Sequence, residues 1–266
     1  MSIRSSDSSN IDGKTSRRVQ LFNPLAAGGT EVVYNDYVYY VFTATSTFTA
    51  LQGISSVDVF IVGAGGGSGS AGIGGGGGGI VVWQSTTIGL NSSYTVTVGT
   101  GVSAGTGNSS VFNGITAVGG QFGQGFVPTS GDSGYPTTAG ATTRYSGGND
   151  AGQAGGGGAS YAANGSNAVA TYQGGAGANG YTTDARLRAV LGGSSVITNV
   201  LSSGGGGGID TRTGATTFGA GGTGAGTGTA AAYGAASSYG SGAGGSGWAG
   251  TSGPGMSGLV VIRAAV

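Results

Sequence analysis

The sequence predicts an all-β protein in which a small antiparallel β-sandwich is joined to a glycine-rich, polyglycine-II-like helix bundle. Three observations point that way. Glycine supplies 65 of the 266 residues, against a usual share of roughly 7%. Much of it lies in tracts, Gly74–Gly79, Gly155–Gly158 and Gly204–Gly208, and the first tract stands between the apolar runs Val57–Val62 and Ile80–Val82. A further apolar run, Leu259–Ile262, follows the glycine region, so strands can tie it down on both sides.

Glycine loses more backbone entropy on folding than any other residue, roughly 0.5 to 1 kcal/mol per site relative to alanine. So many glycines imply either disorder or a packing that only glycine permits. Collagen is excluded: tracts such as GGTGAGTG keep no triplet period, and the chain has only 4 prolines. A flexible linker fits poorly, because tyrosine, valine and isoleucine recur along the chain. Polyglycine II remains. A helix of this type has three residues per turn and no internal hydrogen bonds, so each N–H and C=O must find a partner on a neighbouring chain. Without side chains, neighbours can approach closely enough to provide one.

Residues 1–20 form an extended N-terminal arm, polar and rich in Ser, Asp and Arg. Residues 21–120 hold the sandwich and the first glycine tract. Val19–Phe22, Glu31–Tyr34, Tyr37–Phe42 and Thr47–Leu51 are short runs of Val, Tyr, Phe and Thr between turn signals, and they read as strands. Val57, Val59 and Ile61 alternate with Asp58, Phe60 and Val62, which suits a strand with one face fully buried and the other partly so. Ile80–Ser85 and Ser93–Val98 follow as strands, and Ser109–Phe112, Asn113-Gly114 and Ile115–Val118 read as a hairpin. Residues 121–266 are the glycine-rich region with its insertions, closed by a strand at 259–264. Within it, Thr183–Leu191 reads as a short capped helix with Gly192 beyond its end.

Charge and composition exclude whole classes of function. Nine basic and nine acidic residues balance, with no basic stripe of the kind a nucleic-acid binder needs. No stretch has the length and apolarity of a membrane span or signal peptide, so no membrane insertion is expected. With no cysteine and no histidine, the thiolate nucleophile and the commonest general base are missing. The chain therefore reads as a non-enzyme.

The motifs that suggest chemistry do not hold up. Gly67-Ser68-Gly69-Ser70-Ala71-Gly72 fits the dinucleotide pattern, but more glycines and then a strand follow it, in place of the required helix. Gly13-Lys14-Thr15 resembles a phosphate loop whose required earlier glycine position is Ser8. Asp132, Asp150, Asp184 and Asp210 sit in glycine-rich insertions with no fixed spacing, so solvated loop acids describe them better than a catalytic pair. Gly147-Gly148-Asn149-Asp150 resembles a repeat-type calcium loop but occurs once. No metal and no cofactor are expected.

The strongest functional signal is aromatic display. Tyr135, Tyr145, Tyr161, Tyr172, Tyr181, Tyr233 and Tyr239 lie in the insertions, with Arg144, Arg186, Arg188 and Arg212 nearby. Tyrosine and arginine among small Ser, Gly and Ala residues make adaptable binding loops, in which amphipathic rings give contact area at low entropy cost. The competing reading is that the rings cap the glycine lattice or pack between subunits. Trp83 and Trp248 are expected to pack. In the arm, Arg4, Lys14, Arg17 and Arg18 are candidate assembly contacts.

The runs YVFTATSTFTALQGISSVDVFIVGAGGGSG, GGGGGGIVVWQS, SSYTVTVGTG, NSSVFNGITAVGG and SGLVVIRAAV resemble the glycine-rich domain of bacteriophage tail-fibre and other virion structural proteins. The likeness spans roughly residues 37–125 and 204–266. It implies a virion component like the glycine-rich adhesins of T-even-like phages, in which polyglycine II helices form a sandwich and the loops between glycine motifs contact host receptors. The matching loops here are 121–146, 159–173, 179–191, 209–218 and 227–241. The expected partners are other virion subunits through the arm, a host surface protein or glycan at the loops, and further copies of the chain, with a trimer as the first candidate. The arm does not resemble the adhesin's attachment domain, which keeps an architectural role open: a capsid decoration, head fibre or connector. Tail fibre, baseplate and capsid exterior all fit.

Overall fold

The computed structural model describes residues 3–5, 19–21, 25–51, 53–69, 72, 74–123, 155–168, 173–192, 199–209, 217–229, 232–247 and 250–265. In chain order the strands are β1 (Ile3–Ser5), β2 (Val19–Leu21), β3 (Ala26–Ala27), β4 (Thr30–Tyr34), β5 (Tyr37–Phe42), β6 (Ser46–Ala50), β7 (Ser56–Val62), β8 (Ile80–Thr87), β9 (Ser93–Thr97), β10 (Ser110–Phe112), β11 (Ile115–Ala117), β12 (Tyr181–Thr182), β13 (Val200–Leu201) and β14 (Leu259–Ala265). Among the described residues one short helix, α1, spans Ala185–Val190, and their regular structure is mostly β, the strands pairing antiparallel, with almost no helix.

Two five-stranded sheets face each other. One runs β4-β5-β14-β7-β8 and the other β11-β10-β9-β6-β3. The late strand β14 lies in the middle of its sheet, with Val260 to Arg263 paired to Phe42–Tyr39 on one side and to Ile61–Asp58 on the other. Between the sheets, Tyr40, Phe42, Phe48, Val59, Ile61, Val96, Phe112, Val260 and Ile262 form the main core. Burying one such side chain is worth roughly 1.5 to 3 kcal/mol. The second face of β7 is more buried than alternation alone predicts. Phe60 and Val62 pack with Tyr39, Leu259 and Val261 in a second apolar layer, which Leu187 and Val190 of α1 cover.

Local sequence explains the turns. Asn113 (φ 46°) and Gly114 (φ 77°) both take positive φ between β10 and β11, as a two-residue hairpin turn of the primed kind requires. Trp83 (φ 42°) lies at a register shift where β8 passes Val59 and Ile61 of β7, and the resulting bulge aims its ring at the second apolar layer. Asp184 caps α1, its carboxylate accepting from Leu187 N–H at 2.7 Å.

The glycine segments belong to no strand, yet their hydrogen bonds are regular. Gly74 and Gly77 donate to Gly156 and Ala159, Gly75 and Gly78 to Ala243 and Gly240, Gly76 and Gly79 to Gln121 and Val118. Each third residue thus meets the same neighbour. The rule repeats at Gly63 and Gly66, which donate to Gly79 and Gly76, at Ala64 and Gly67, which donate to Asn108 and Gly105, and at Gly205 and Gly208, which donate to Gly75 and Gly72. The contact is backbone to backbone. A Cβ on Gly75 would run into Gly66 O, and one on Gly206 into Gly219 O, each far inside 3.0 Å.

Candidate functional site

The hydrogen-bond rungs give the glycine array two distinct ends. At the sandwich end β7 runs into Gly63 and β8 leaves from Gly79, joined by Gly63 N–H to Gly79 O at 2.9 Å. The far end is the level of Gly67 to Gly74. There Gly123 donates to Gly67 O, Gly74 to Gly156 O, Gly155 to Gly208 O, Gly208 to Gly72 O and Gly72 to Ser246 O. Gly174 donates to Thr217 O, Gly175 to Gly155 O and Thr229 to Gly245 O at that same level. Buried Ile209 packs with Ala168 and Phe218 beside them.

Consequently the chain enters and leaves segments 124–154, 169–172, 210–216, 230–231 and 248–249 at one end of the molecule. Tyr135, Arg144, Tyr145, Tyr172 and Arg212 belong to these segments and lie outside the described residues. So do Trp248, Asp132, Asp150 and Asp210.

The other predicted residues are elsewhere. Tyr161, Tyr181 and Tyr239 pack at the sandwich end against the second apolar layer. The Tyr181 ring lies 5.6 Å from Phe60 and 6.0 Å from Tyr161. Burial raises the Tyr181 phenol above its ordinary value, helped by the negative charge of Asp184 and then by Tyr161. Arg186 is exposed on α1, while Arg188 turns back and donates from Nη1 to Thr183 O at 2.9 Å. Tyr233 lies along the side of the array with its ring over Gly253, where a Cβ would collide with it. Of the arm residues, Arg4 lies in β1, and Lys14, Arg17 and Arg18 fall outside the described residues. The predicted binding set is thus divided, and Tyr161, Tyr181, Arg186, Arg188 and Tyr239 do not share the end at which the flanks of segments 124–154, 169–172 and 210–216 lie.

One charged pair escaped the sequence reading. Arg263 of β14 donates from Nε to Asp58 Oδ2 of β7 at 3.0 Å, and its guanidinium lies 4.2 Å from the Trp83 ring centroid and 4.9 Å from that of Tyr37. Ser85 donates its hydroxyl to the other oxygen of Asp58. The available signal was a lone charge in each of two otherwise apolar strands, of opposite sign. Beside this pair, the hydroxyl of fully buried Tyr39 has no hydrogen-bond partner among the described residues.

Among the described residues no three acidic, histidine or cysteine side chains come together. No helix of those residues is long and apolar enough to cross a membrane. Asp184 is occupied as a helix cap.

A β-sandwich carrying backbone-packed glycine segments defines a glycine-rich, mainly antiparallel β class of protein. The glycine-rich domain family matches residues 41–265, and the chain belongs to that family. No curated protein matches it.

Proposed function

We propose that this chain is a non-enzymatic bacteriophage virion protein of the tail-fibre or adhesin type, whose glycine array is a polyglycine-II-like bundle that holds Tyr- and Arg-bearing loops against a host surface protein or glycan. The observation that carries this reading is that the described flanks of segments 124–154, 169–172 and 210–216 lie at the far end of the array, remote from the sandwich, whereas the insertion with α1 packs at the sandwich end. Hydrogen bonds that return to the same neighbour at every third residue support the bundle, because a three-residue turn without internal bonds needs that pattern. The binding set then narrows to Tyr135, Arg144, Tyr145, Tyr172 and Arg212. A rigid backbone lattice lets aromatic loops bind with little further ordering cost.

A second reading is architectural: a capsid decoration, head fibre or connector. The inward packing of Tyr161, Tyr181 and Tyr239 favours it, since these rings seal apolar surface and leave fewer aromatics for a receptor. Binding of labelled protein to bacterial cells, together with immunogold labelling of virions, separates the two. The adhesin reading expects label at the distal end of a fibre, and cell binding that is lost when the five narrowed positions become alanine. Label spread over a shell or along a shaft, with no cell binding, supports the architectural reading.

A further inference from the structure

We propose that Asn164 is a site of spontaneous covalent modification, at which the backbone nitrogen of Gly165 attacks the side-chain amide and converts the residue to aspartate and isoaspartate. Asparagine before glycine is the pair most prone to this ring closure, because glycine has no Cβ to shield its nitrogen. The sequence holds three such pairs, Asn113-Gly114, Asn164-Gly165 and Asn179-Gly180, and all three asparagines are exposed. Hydrogen bonding separates them. Asn113 Nδ2 donates to Thr86 Oγ1 at 2.8 Å and to Thr87 O at 2.9 Å, and its backbone is held at φ 46° between paired strands. Asn179 Oδ1 accepts from Thr223 N–H at 2.8 Å and from the Thr223 hydroxyl at 3.1 Å. There the nucleophile itself is engaged, since Gly180 N–H donates to Ser203 Oγ at 3.0 Å. Gly165 N–H donates to no described residue.

The reactive pair lies between two anchored stretches. Before it, the Ser160 hydroxyl accepts from Ala162 N–H at 3.1 Å and from Ala163 N–H at 3.0 Å. After it, Ser166 N–H donates to Ala176 O at 2.8 Å, and Ser166 O accepts from Gly157 N–H at 2.9 Å. Ring closure at the peptide between them starts with all of these bonds intact. Hydroxide from solvent takes the Gly165 amide proton, the nitrogen bonds to Asn164 Cγ, and the Cγ–Nδ2 bond breaks, ammonia leaving with a proton from water. Water then opens the succinimide. Attack at Cγ gives aspartate, and attack at the main-chain carbonyl gives isoaspartate, whose backbone runs through Cβ and is longer by one methylene. Either product takes the formal net charge of 0 one unit negative. Isoaspartate does more. Gly165 lies so close to Gly157 O that even a Cβ would come within 2.0 Å of it, so a longer backbone displaces the bonds of Ser166 with Gly157 and Ala176. The chemistry needs only water and is independent of what the far end binds.

Incubation of the folded full chain at mildly alkaline pH, followed by digestion and mass spectrometry that resolves asparagine, aspartate and isoaspartate, tests this. Conversion at Asn164 is expected to run about ten-fold or more faster than at Asn113 and Asn179, which must first open their hydrogen bonds. In denaturant the three rates are expected to converge. Asn164→Gln should remove the main acidic species that accumulates on ion exchange. Asn164→Asp adds the charge without the methylene and should melt as wild type, while the isoaspartate-bearing fraction of aged protein melts lower. An Asn164 that stays intact in the folded chain, or that converts no faster than Asn113 and Asn179, overturns the proposal.

Discussion

Arg263 and Asp58 face each other on adjacent strands at 3.0 Å, beside Trp83 and Tyr37 of the second apolar layer. The side chains of the pair are only 14% and 27% accessible, so each charge depends on the other. Stacking on Trp83 and Tyr37 adds a cation–π contribution of roughly 0.5 to 2 kcal/mol. Arg263→Ala should therefore cost about 2 to 4 kcal/mol, since it leaves the Asp58 carboxylate in a half-closed site without its cation. The double variant Asp58→Asn/Arg263→Met should cost less than the sum of the single changes, because no charge is then stranded. Chemical denaturation of the singles and the double gives the coupling. Strict additivity would mean that the pair is only a surface contact.

Substitution of glycine separates close packing from backbone conformation. At Gly75 and Gly206 even a methyl group would meet a neighbouring carbonyl oxygen. Ala at either site forces segments apart and should cost about 3 kcal/mol or more. Gly114 has φ 77° and open space around its missing Cβ, so Gly114→Ala carries only the left-handed penalty, about 1 to 2 kcal/mol. Thermal melts of the three variants check the ranking. Equal losses would show that neighbouring backbones do not set the spacing of the array.

The same close packing explains which parts of the structure were legible. Strands read as runs of Val, Tyr and Phe, such as Tyr37–Phe42, appear where the sequence put them, as do the Asn113-Gly114 turn and the short helix within Thr183–Leu191, although its cap, Asp184, reads in sequence only as a solvated loop acid. The insertion of β14 between β5 and β7 was not readable, because several apolar strands could have taken that central place. Nor was the neighbour of each glycine tract, since identical backbone groups at successive glycines hold no register information. What fixes register is the sparse side chains, such as Ser202, whose hydroxyl donates to Gly78 O. The division of the tyrosines followed from that gap. Tyr161 and Tyr135 both look like loop residues until the rungs place the flanks of their segments at opposite ends.

Alkaline titration should expose the main core through Tyr40. Its ring is 1% exposed and its hydroxyl accepts from Ala26 N–H at 3.0 Å. Burial pushes its pKa up from 10.0 to about 12; the Ala26 N–H opposes that shift and the charge of Glu31 adds to it. Between these values the unfolded phenol loses its proton while the folded one keeps it. The stabilisation is thus complete below pH 10 and is lost as pH rises through about 12, by roughly 2 to 3 kcal/mol in all. Tyr40→Phe should flatten this fall by about one proton, while costing about 1 to 3 kcal/mol at neutral pH through the unpaired Ala26 N–H. Denaturation midpoints measured across the alkaline range decide it. A variant with the wild-type slope would remove Tyr40 as the source.

The two groups of tyrosines should separate in their effect on stability. Tyr181, partly buried, contacts both Phe60 and Tyr161 in the second apolar layer, so Tyr181→Ala opens a gap beside Phe60 and should cost roughly 2 to 4 kcal/mol. Tyr161→Ala, also on a partly buried ring but one set against Tyr181 and not against fully buried Phe60, should cost about 1 to 3 kcal/mol. Tyr135→Ala, Tyr145→Ala and Tyr172→Ala fall in segments whose flanks lie at the far end of the array, and each should stay within about 0.5 kcal/mol of wild type. Urea denaturation of the five variants provides the comparison. Large losses at Tyr135, Tyr145 or Tyr172 would mean that these rings are packed like Tyr181, and the binding set would then need a different origin. Neutral Tyr181→Ala would remove the second apolar layer as the reason for dividing the tyrosines.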